Sequence, residues 1–210
     1  MHKIIVAGIG PGNPDFVLPA ARKAIDSAKV LVGGKRALAD FAGGCFGQET
    51  FPVGADIPAV MNFIRGKLDS SDVVAMVSGD PGYFSLLDAL LREFPKDIID
   101  VLPGISSIQY AFSRLSLPWH EAEFISFHGR RPEDERLAYK KGRLLGFITD
   151  TKQNSHSIPE LLISLGWPAD TYFAVCARLS YDDEYIAETT LAKASETILQ
   201  THCVLVVKSE

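Results

Sequence analysis

The sequence predicts an α/β protein in two parts, a mostly parallel first half and a mixed α+β second half. Three observations carry this. Apolar runs rich in β-branched residues, such as Ile4-Ile5-Val6-Ala7-Gly8-Ile9 and Val73-Val74-Ala75-Met76-Val77, suit strands buried on both faces of a parallel sheet. Each runs into a glycine-containing loop and then a helical pattern, the order that βα units require. From Tyr172 onward strand follows strand without a long crossover, which calls for antiparallel or mixed pairing.

Composition bounds the function classes. The 210 residues are 47% hydrophobic, ample for the core of one large domain or two small ones. A net charge of -5 excludes a broad nucleic-acid footprint, because neutralising phosphates needs clustered Lys and Arg; a local basic pocket stays compatible. Cys45, Cys176 and Cys203 are widely spaced with no C-x-x-C pair, so neither a disulfide framework nor a zinc site is expected. The apolar start before Gly10 is too short for a signal peptide, and no apolar run approaches the roughly 18 residues of a membrane span. A soluble, cytoplasmic protein without a metal is the expectation.

Taken in order, Ile4 to Ile9 is a strand broken by Gly10-Pro11-Gly12-Asn13-Pro14. Asp15 is expected to cap a helix carrying Phe16, Leu18, Ala21, Ala24, Ile25 and Ala28 along one stripe. Val30-Leu31-Val32 is the second strand, and residues 37–53, with Gly43, Gly44, Gly47 and Pro52, read as a short helix followed by a loop or brief strand. Asp56-Ile57-Pro58 starts a helix to about Leu68, since Asp is a favoured cap and Pro is tolerated in the first turn. The strand over 73–77 ends in Ser78-Gly79-Asp80-Pro81-Gly82-Tyr83, followed by a helix over 84–94 that Pro95 ends. A strand over 98–102 leads into Pro103-Gly104-Ile105-Ser106-Ser107, which opens a helix running to Leu115.

Leu117-Pro118-Trp119-His120 marks the expected boundary between domains 1–118 and 121–210. Beyond it come a strand over 124–127 ending in His128-Gly129-Arg130-Arg131, an exposed helix over 132–141, and a strand over 144–149. A helix over 158–165 is closed by Gly166; strands over 172–177, 184–189 and 203–208 follow, with a short helix at 191–195 before the last.

The glycine loops test two nucleotide fingerprints and fail both. Gly8-Ile9-Gly10-Pro11-Gly12-Asn13 puts Asn where the dinucleotide motif needs its third glycine, and the second strand ends in Gly33-Gly34-Lys35-Arg36 with no acid to hold a ribose. The pattern G-x-x-x-x-G-K-[ST] is absent. Ser78 to Tyr83 then reads either as a plain strand-to-helix turn or as a ligand loop, since ligands of open α/β sheets bind outside the carboxyl ends of the strands.

Four stretches together resemble the tetrapyrrole methylase family: Val6 to Pro14, Ser78-Gly79-Asp80-Pro81, Pro103-Gly104-Ile105-Ser106-Ser107, and Arg178-Leu179-Ser180-Tyr181-Asp182-Asp183-Glu184. They span nearly the whole chain in the order that family has them. The resemblance implies two α/β domains with a cleft between a mostly parallel N-terminal sheet and a mixed C-terminal one. It implies S-adenosylmethionine held in that cleft, a homodimer, and methylation of carbon atoms in cobalamin and sirohaem precursors. Pro118-Trp119 followed by Ser126-Phe127-His128-Gly129-Arg130 is similar to the branch that methylates a meso carbon, C5, of cobalt-precorrin-7 or its metal-free equivalent. In some relatives this module is fused to a second methyltransferase that also decarboxylates a side chain; here that C15 activity is expected from a separate partner.

Carried over residue by residue, the resemblance assigns Gly79, Asp80 and Tyr83 to the loop beside the donor's methionine part, and Ser106 and Ser107 to the next loop. Pro11 falls in the first loop, nearer the substrate trough. Thr149, Cys176 and Ala177 match positions that close over the adenosine. Ala177 stands where relatives often have Glu before the Arg-Leu pair, so a contact through that carboxylate is not carried over.

Methyl transfer from a sulfonium is a displacement with an activated donor, so placement rather than a side-chain nucleophile is required, and no general base is assigned. Asp80 either shapes its turn or meets the donor's amine. The acceptor's carboxylates call for cationic partners, and Arg36, His128, Arg130 and Arg131 are the candidates. For Arg130 and Arg131 the alternative is a solvated pair, and for His128 a hydrogen-bonded loop residue. Rival functions are another tetrapyrrole methylase, a ribosomal RNA ribose methylase, which the acidic balance disfavours, or a ligand-binding module without catalysis.

Overall fold

Continuous β-branched runs become central strands because only there are both faces of a strand covered. In the computed structural model, which describes residues 2–129, 131–197 and 199–210, β1 (Ile4–Gly8), β2 (Val30–Gly33), β3 (Glu49–Pro52), β4 (Val73–Val77) and β5 (Ile99–Leu102) form a wholly parallel sheet in the order β3-β2-β4-β1-β5. β2 and β4 are buried along their length, whereas the edge strands β3 and β5 carry the Glu, Thr and Asp residues. Helices α1 (Pro19–Ser27) and α2 (Lys35–Phe41) cover one face through Ala21, Ile25, Ala37 and Phe41. Helices α3 (Ile57–Lys67) and α4 (Leu87–Glu93) cover the other through Val60, Met61, Ile64 and Leu90. The loops that follow β1, β4 and β5 therefore leave the sheet at one edge.

The second sheet contains β6 (Glu123–Ser126), β7 (Leu144–Ile148), β8 (Tyr172–Ala177), β9 (Tyr185–Thr190) and β10 (Val204–Lys208) in the order β6-β7-β10-β8-β9. Among the described residues β6 and β7 pair in parallel, and the ladders β7–β10, β10–β8 and β8–β9 are antiparallel. Strand period 2 divides its side chains cleanly. Phe127, Leu145, Phe147, Phe173, Val175, Leu205 and Val207 pack with α7 (Ser157–Ser164), α8 (Leu191–Thr197) and Trp167. The opposite face receives α5 (Ser107–Arg114), whose Phe112 approaches so closely that a Cβ on Gly146 would stand 3.1 Å from its ring. The chain packs as two units, Met1–Ser106 and Ser107–Glu210, so α5 goes with the second sheet, although in sequence it reads as the end of the first half.

Three helices differ from expectation for local reasons. Residues 14–16 form a 3-10 turn capped by Asn13, whose side chain accepts the Asp15 amide at 2.9 Å. Pro19 drives Leu18 into an extended conformation, so α1 begins only there. Phe84 sits at φ 51, which interrupts the expected helix and delays α4 to Leu87. The exposed helix expected over 132–141 shrinks to α6 (Asp134–Leu137) because Ala138 turns away, and its carbonyl accepts the Arg143 guanidinium at 2.7 Å.

Among the described residues of this unit, Arg143 is the buried cation. It donates to both oxygens of Glu123 at 3.0 and 2.9 Å and to the carbonyls of Ala138 and Arg136. The fork joins β6 to the α6 segment and holds the Glu123 carboxyl below its usual range. Arg143→Ala is expected to lower the unfolding free energy by about 3 kcal/mol, since hydrogen bonds to charged groups are each worth about 1.5–3 kcal/mol. Arg143→Lys should recover less than half, because one ammonium cannot span the fork. Urea unfolding checks both; an unchanged midpoint in Arg143→Ala would refute the assignment.

Candidate active site

Three strand ends meet at backbone distance in the first unit. Gly79 donates to the Gly10 carbonyl at 2.8 Å and accepts from the Gly10 amide at 3.4 Å, which ties the loop after β4 to the loop after β1. A Cβ placed on Gly8 would lie 2.7 Å from both the Gly79 carbonyl and the Gly104 amide, and one on Gly104 would collide with that same carbonyl. Gly10 and Gly79 hold φ of 75 and 70, a region that L side chains seldom enter. The glycines therefore have steric reasons of their own, and what they leave at the sheet edge is bare main chain.

Asp80 locks this junction. One carboxylate oxygen accepts the Gly82 amide at 2.8 Å and the other accepts the Gly104 amide at 3.0 Å, so a single side chain spans two loops. The turn-shaping role is thus visible, with contact to a ligand left as a further role. Tyr83 packs edge-on against Phe84 with centroids 4.7 Å apart, and Phe84 is 50% exposed in its left-handed conformation. A bulky residue held at positive φ beside the glycine junction is strain of the sort found at functional sites. Ser106 is buried, Pro11 half-buried, and Ser107 opens α5. Arg36, in the first turn of α2, reaches Ser78 with its guanidinium 3.5 Å from the hydroxyl, so it stands next to the Gly79 loop.

In the second unit Thr149, Cys176, Ala177 and His128 lie at or just beyond strand ends. Thr149 is buried, and its hydroxyl donates to the Cys203 carbonyl at 2.9 Å while accepting the Cys203 amide at 2.8 Å. It thereby fastens the end of β7 to the start of β10. The register continues across to β8, where Cys176 pairs with Val204, placing Thr149, Cys203 and Ala177 side by side. Burial pushes the Cys176 thiol up to about 12 and the Cys203 thiol up to about 11, so both are neutral and unreactive as nucleophiles. His128 follows β6 and is exposed; its neighbour Gly129 donates to Asp150 at 3.0 Å, which sets this loop against the end of β7. Arg131 pairs with Asp134 at 2.8 Å, both more than half exposed. Arg130 lies outside the described residues.

The segment Arg178 to Glu184 is a strained turn closed by charge. Arg178 and Ser180 take φ of 52 and 67, Arg178 donates to both oxygens of Asp183, and its guanidinium lies 4.3 Å from the centroid of the Tyr181 ring. Glu184 accepts the Ser180 amide at 2.8 Å and Arg114 Nε at 2.7 Å, with the Tyr110 hydroxyl as a further donor. This hub fixes the backbone immediately after Ala177. Sequence reasoning gave no role to Glu184, Arg114 or Tyr110, because 70 residues separate Glu184 from Arg114 and nothing local signals the pairing. Gly8 and Gly104 carried a signal, glycine at a buried strand end, that went unread.

Residues 3–195 match the family described as Tetrapyrrole (Corrin/Porphyrin) Methylases. The chain belongs to the tetrapyrrole methylases. Tetrapyrrole methylases are S-adenosylmethionine-dependent methyltransferases, and this chain is one of them, with S-adenosylmethionine as donor. The Cobalt-precorrin-7 C(5)-methyltransferase of Salmonella typhimurium is 34% identical over 163 residues, 78% of this chain and 79% of the relative. The fold is shared with precorrin-6Y methylase from Archaeoglobus fulgidus, at TM-score 0.73 and 24% identity over 100% of this chain and 99% of that one. It is shared too with uroporphyrin-III C-methyltransferase from Thermus thermophilus in complex with S-adenosyl homocysteine, at TM-score 0.76 and 21% identity over 98% and 97%.

The residues present fit a tetrapyrrole methylase donor. A sulfonium compound with an amine, a carboxylate and a nucleoside calls for close approach of main chain, for which the glycine junction is bare, and for an aromatic face toward positive charge, for which Phe84, 50% exposed, is suited. Among the described residues no helix is long and apolar enough to cross a membrane.

Gly104→Ala is expected to cost about 2–3 kcal/mol, as overpacking against backbone does, and to weaken S-adenosyl homocysteine binding. Gly54→Ala, where a Cβ meets open space, serves as the neutral control. Thermal unfolding and calorimetry report both quantities, and normal donor affinity in Gly104→Ala would refute the role of the junction. Burial alone would raise the Glu184 carboxyl, but the Ser180 amide, Arg114 and Tyr110 outweigh it and hold it below the usual range. Its stabilisation is complete above the unfolded pKa and is lost as pH falls through the lowered folded value. Glu184→Gln is expected to reduce stability at neutral pH and to flatten the loss below about pH 4; denaturant curves across that range test it.

Proposed function

We propose that this tetrapyrrole methylase transfers the methyl group of S-adenosylmethionine to the meso carbon C5 of cobalt-precorrin-7 or its metal-free equivalent in cobalamin biosynthesis. The single observation that carries the substrate is the 34% identity to a relative named for that reaction. The Ser126-to-Arg130 segment, whose Gly129 amide donates to Asp150 next to Thr149, supports it.

The donor supplies an activated methyl group, so the residues of this chain have to hold and orient rather than attack. Holding reacting carbons in line can contribute about 7–11 kcal/mol. Gly79, Asp80, Tyr83, Ser106 and Ser107 hold the methionine part; Thr149, Cys176 and Ala177 flank the adenosine; Pro11 faces the acceptor. Arg36, His128, Arg130 and Arg131 meet its carboxylates. Cys176 and Cys203, held as neutral thiols, do not themselves compete for the donor's methyl group. The same reading takes the protein as a cytoplasmic homodimer that works beside a separate enzyme for C15 methylation and decarboxylation.

Incubation of the purified chain with cobalt-precorrin-7 and donor carrying a 13C methyl should give a product heavier by one methyl, with the label in a new methyl group bonded to C5 in the NMR spectrum. Bound donor without transfer would overturn the proposal and favour a ligand-binding module. Transfer to a different carbon would reassign the position.

A further inference from the structure

At the edge of the second sheet lies an open recess of about 520 Å³, lined by His128, Gly129, Asp150, Thr151, Lys152, Gln153 and His202. We propose that this recess is a carboxylate subsite for the acceptor, with Lys152 and His202 as binding residues beside His128. The inference rests on the corrinoid reading above, because a precursor ringed by carboxylates is what makes such a seat useful. It adds two residues from loops that no sequence motif singled out.

The lining is rich in donors. Its acid, Asp150, is engaged by the protein itself: one oxygen accepts the Lys152 and Gln153 amides at 2.8 Å each, and the other accepts the Gly129 amide at 3.0 Å. These backbone hydrogen bonds hold its carboxyl below the usual range, and they leave it as a brace that fixes the two loops. The other side chains are an ammonium, two imidazoles, an amide and a hydroxyl, all able to donate to a carboxylate. In a chain of net charge -5 such a cluster is out of keeping with the average surface.

His202 supplies an independent observation. It takes φ 51, a costly conformation for a residue with a side chain. The next residue, Cys203, is pinned through its amide and carbonyl to the Thr149 hydroxyl. The imidazole is therefore carried on a turn held by the end of β7, the strand end that also bears Asp150 and Lys152. His128, Lys152 and His202 are all exposed and open to a ligand.

The test uses cobyrinic acid, a corrin with free peripheral carboxylates, and its heptamethyl ester, titrated calorimetrically against the full chain. Lys152→Ala and His202→Gly remove the donors; glycine suits the positive φ, so the second variant should fold at least as well as the parent. The acid is expected to bind at least 10-fold tighter than the ester, as charge-assisted hydrogen bonds of about 1.5–3 kcal/mol imply. Each variant should lose about 5–10-fold in affinity for the acid, on the same basis, with S-adenosyl homocysteine affinity and melting temperature unchanged. Equal affinity for acid and ester, acid affinity unchanged in both variants, or no corrinoid binding would overturn the subsite. Displacement of the acid by stoichiometric inorganic phosphate would overturn it too, giving the recess to a phosphate ligand. If the acid binds as expected while cobalt-precorrin-7 gains no methyl, the subsite stands and the methyl-transfer reading falls.

Discussion

Everything at the first sheet's edge depends on the contact of three main-chain segments at Gly8, Gly79 and Gly104. Strands in a parallel sheet sit side by side, and their exiting loops ordinarily diverge as each turns back to its helix. Here the absence of three side chains lets the Gly79 carbonyl touch both neighbours, and the Asp80 carboxylate closes the remaining gap to Gly104. The result is a junction of peptide groups backed by a packed parallel sheet. In the methyl-transfer reading, peptide dipoles held this way need no reorganisation when a ligand arrives.

The second unit solves a similar problem with side chains. Thr149 stitches β7 to β10, Asp150 stitches β7 to the His128 loop, and Glu184 stitches the turn after β8 to α5. Each is a short polar side chain that takes two or three donors or acceptors, and each sits one to seven residues beyond a strand. The contrast with the glycine junction has a physical root. Mixed sheets with antiparallel neighbours carry their connections at both ends, so fewer backbones converge at one place and bridging groups must be longer.

Much of this was legible beforehand. The strands around Val6, Val74 and Val175 were readable because burial on both faces leaves no alternation to confuse, and Asp56 announced α3 by its capping chemistry, accepting the Ala59 amide. The start of α1 was misread because Asn13 and Asp15 are both good caps, and only the extended Leu18 before Pro19 decides between them. The length of α6 was beyond local reading, since it ends where Arg143, from the next strand's approach, claims the Ala138 carbonyl. The site divides likewise. Glycine loops advertise themselves, whereas Glu184 and Asp150 act through partners 70 and 21 residues away that no local pattern relates to them.

The burial of Cys176 and Cys203 has a further use. Both thiols are buried in the second unit, Cys176 on β8 and Cys203 at the residue before β10, while Cys45 is partly exposed in the first unit. Alkylating reagents react with thiolates, so Cys45 is modified from the native state, whereas the other two wait for the β8–β10 ladder to open. The chain thus carries its own stopwatch for local opening, with an internal reference signal. A mass spectrum of the carbamidomethylated protein, taken at intervals, separates breathing of that ladder from loss of the whole fold.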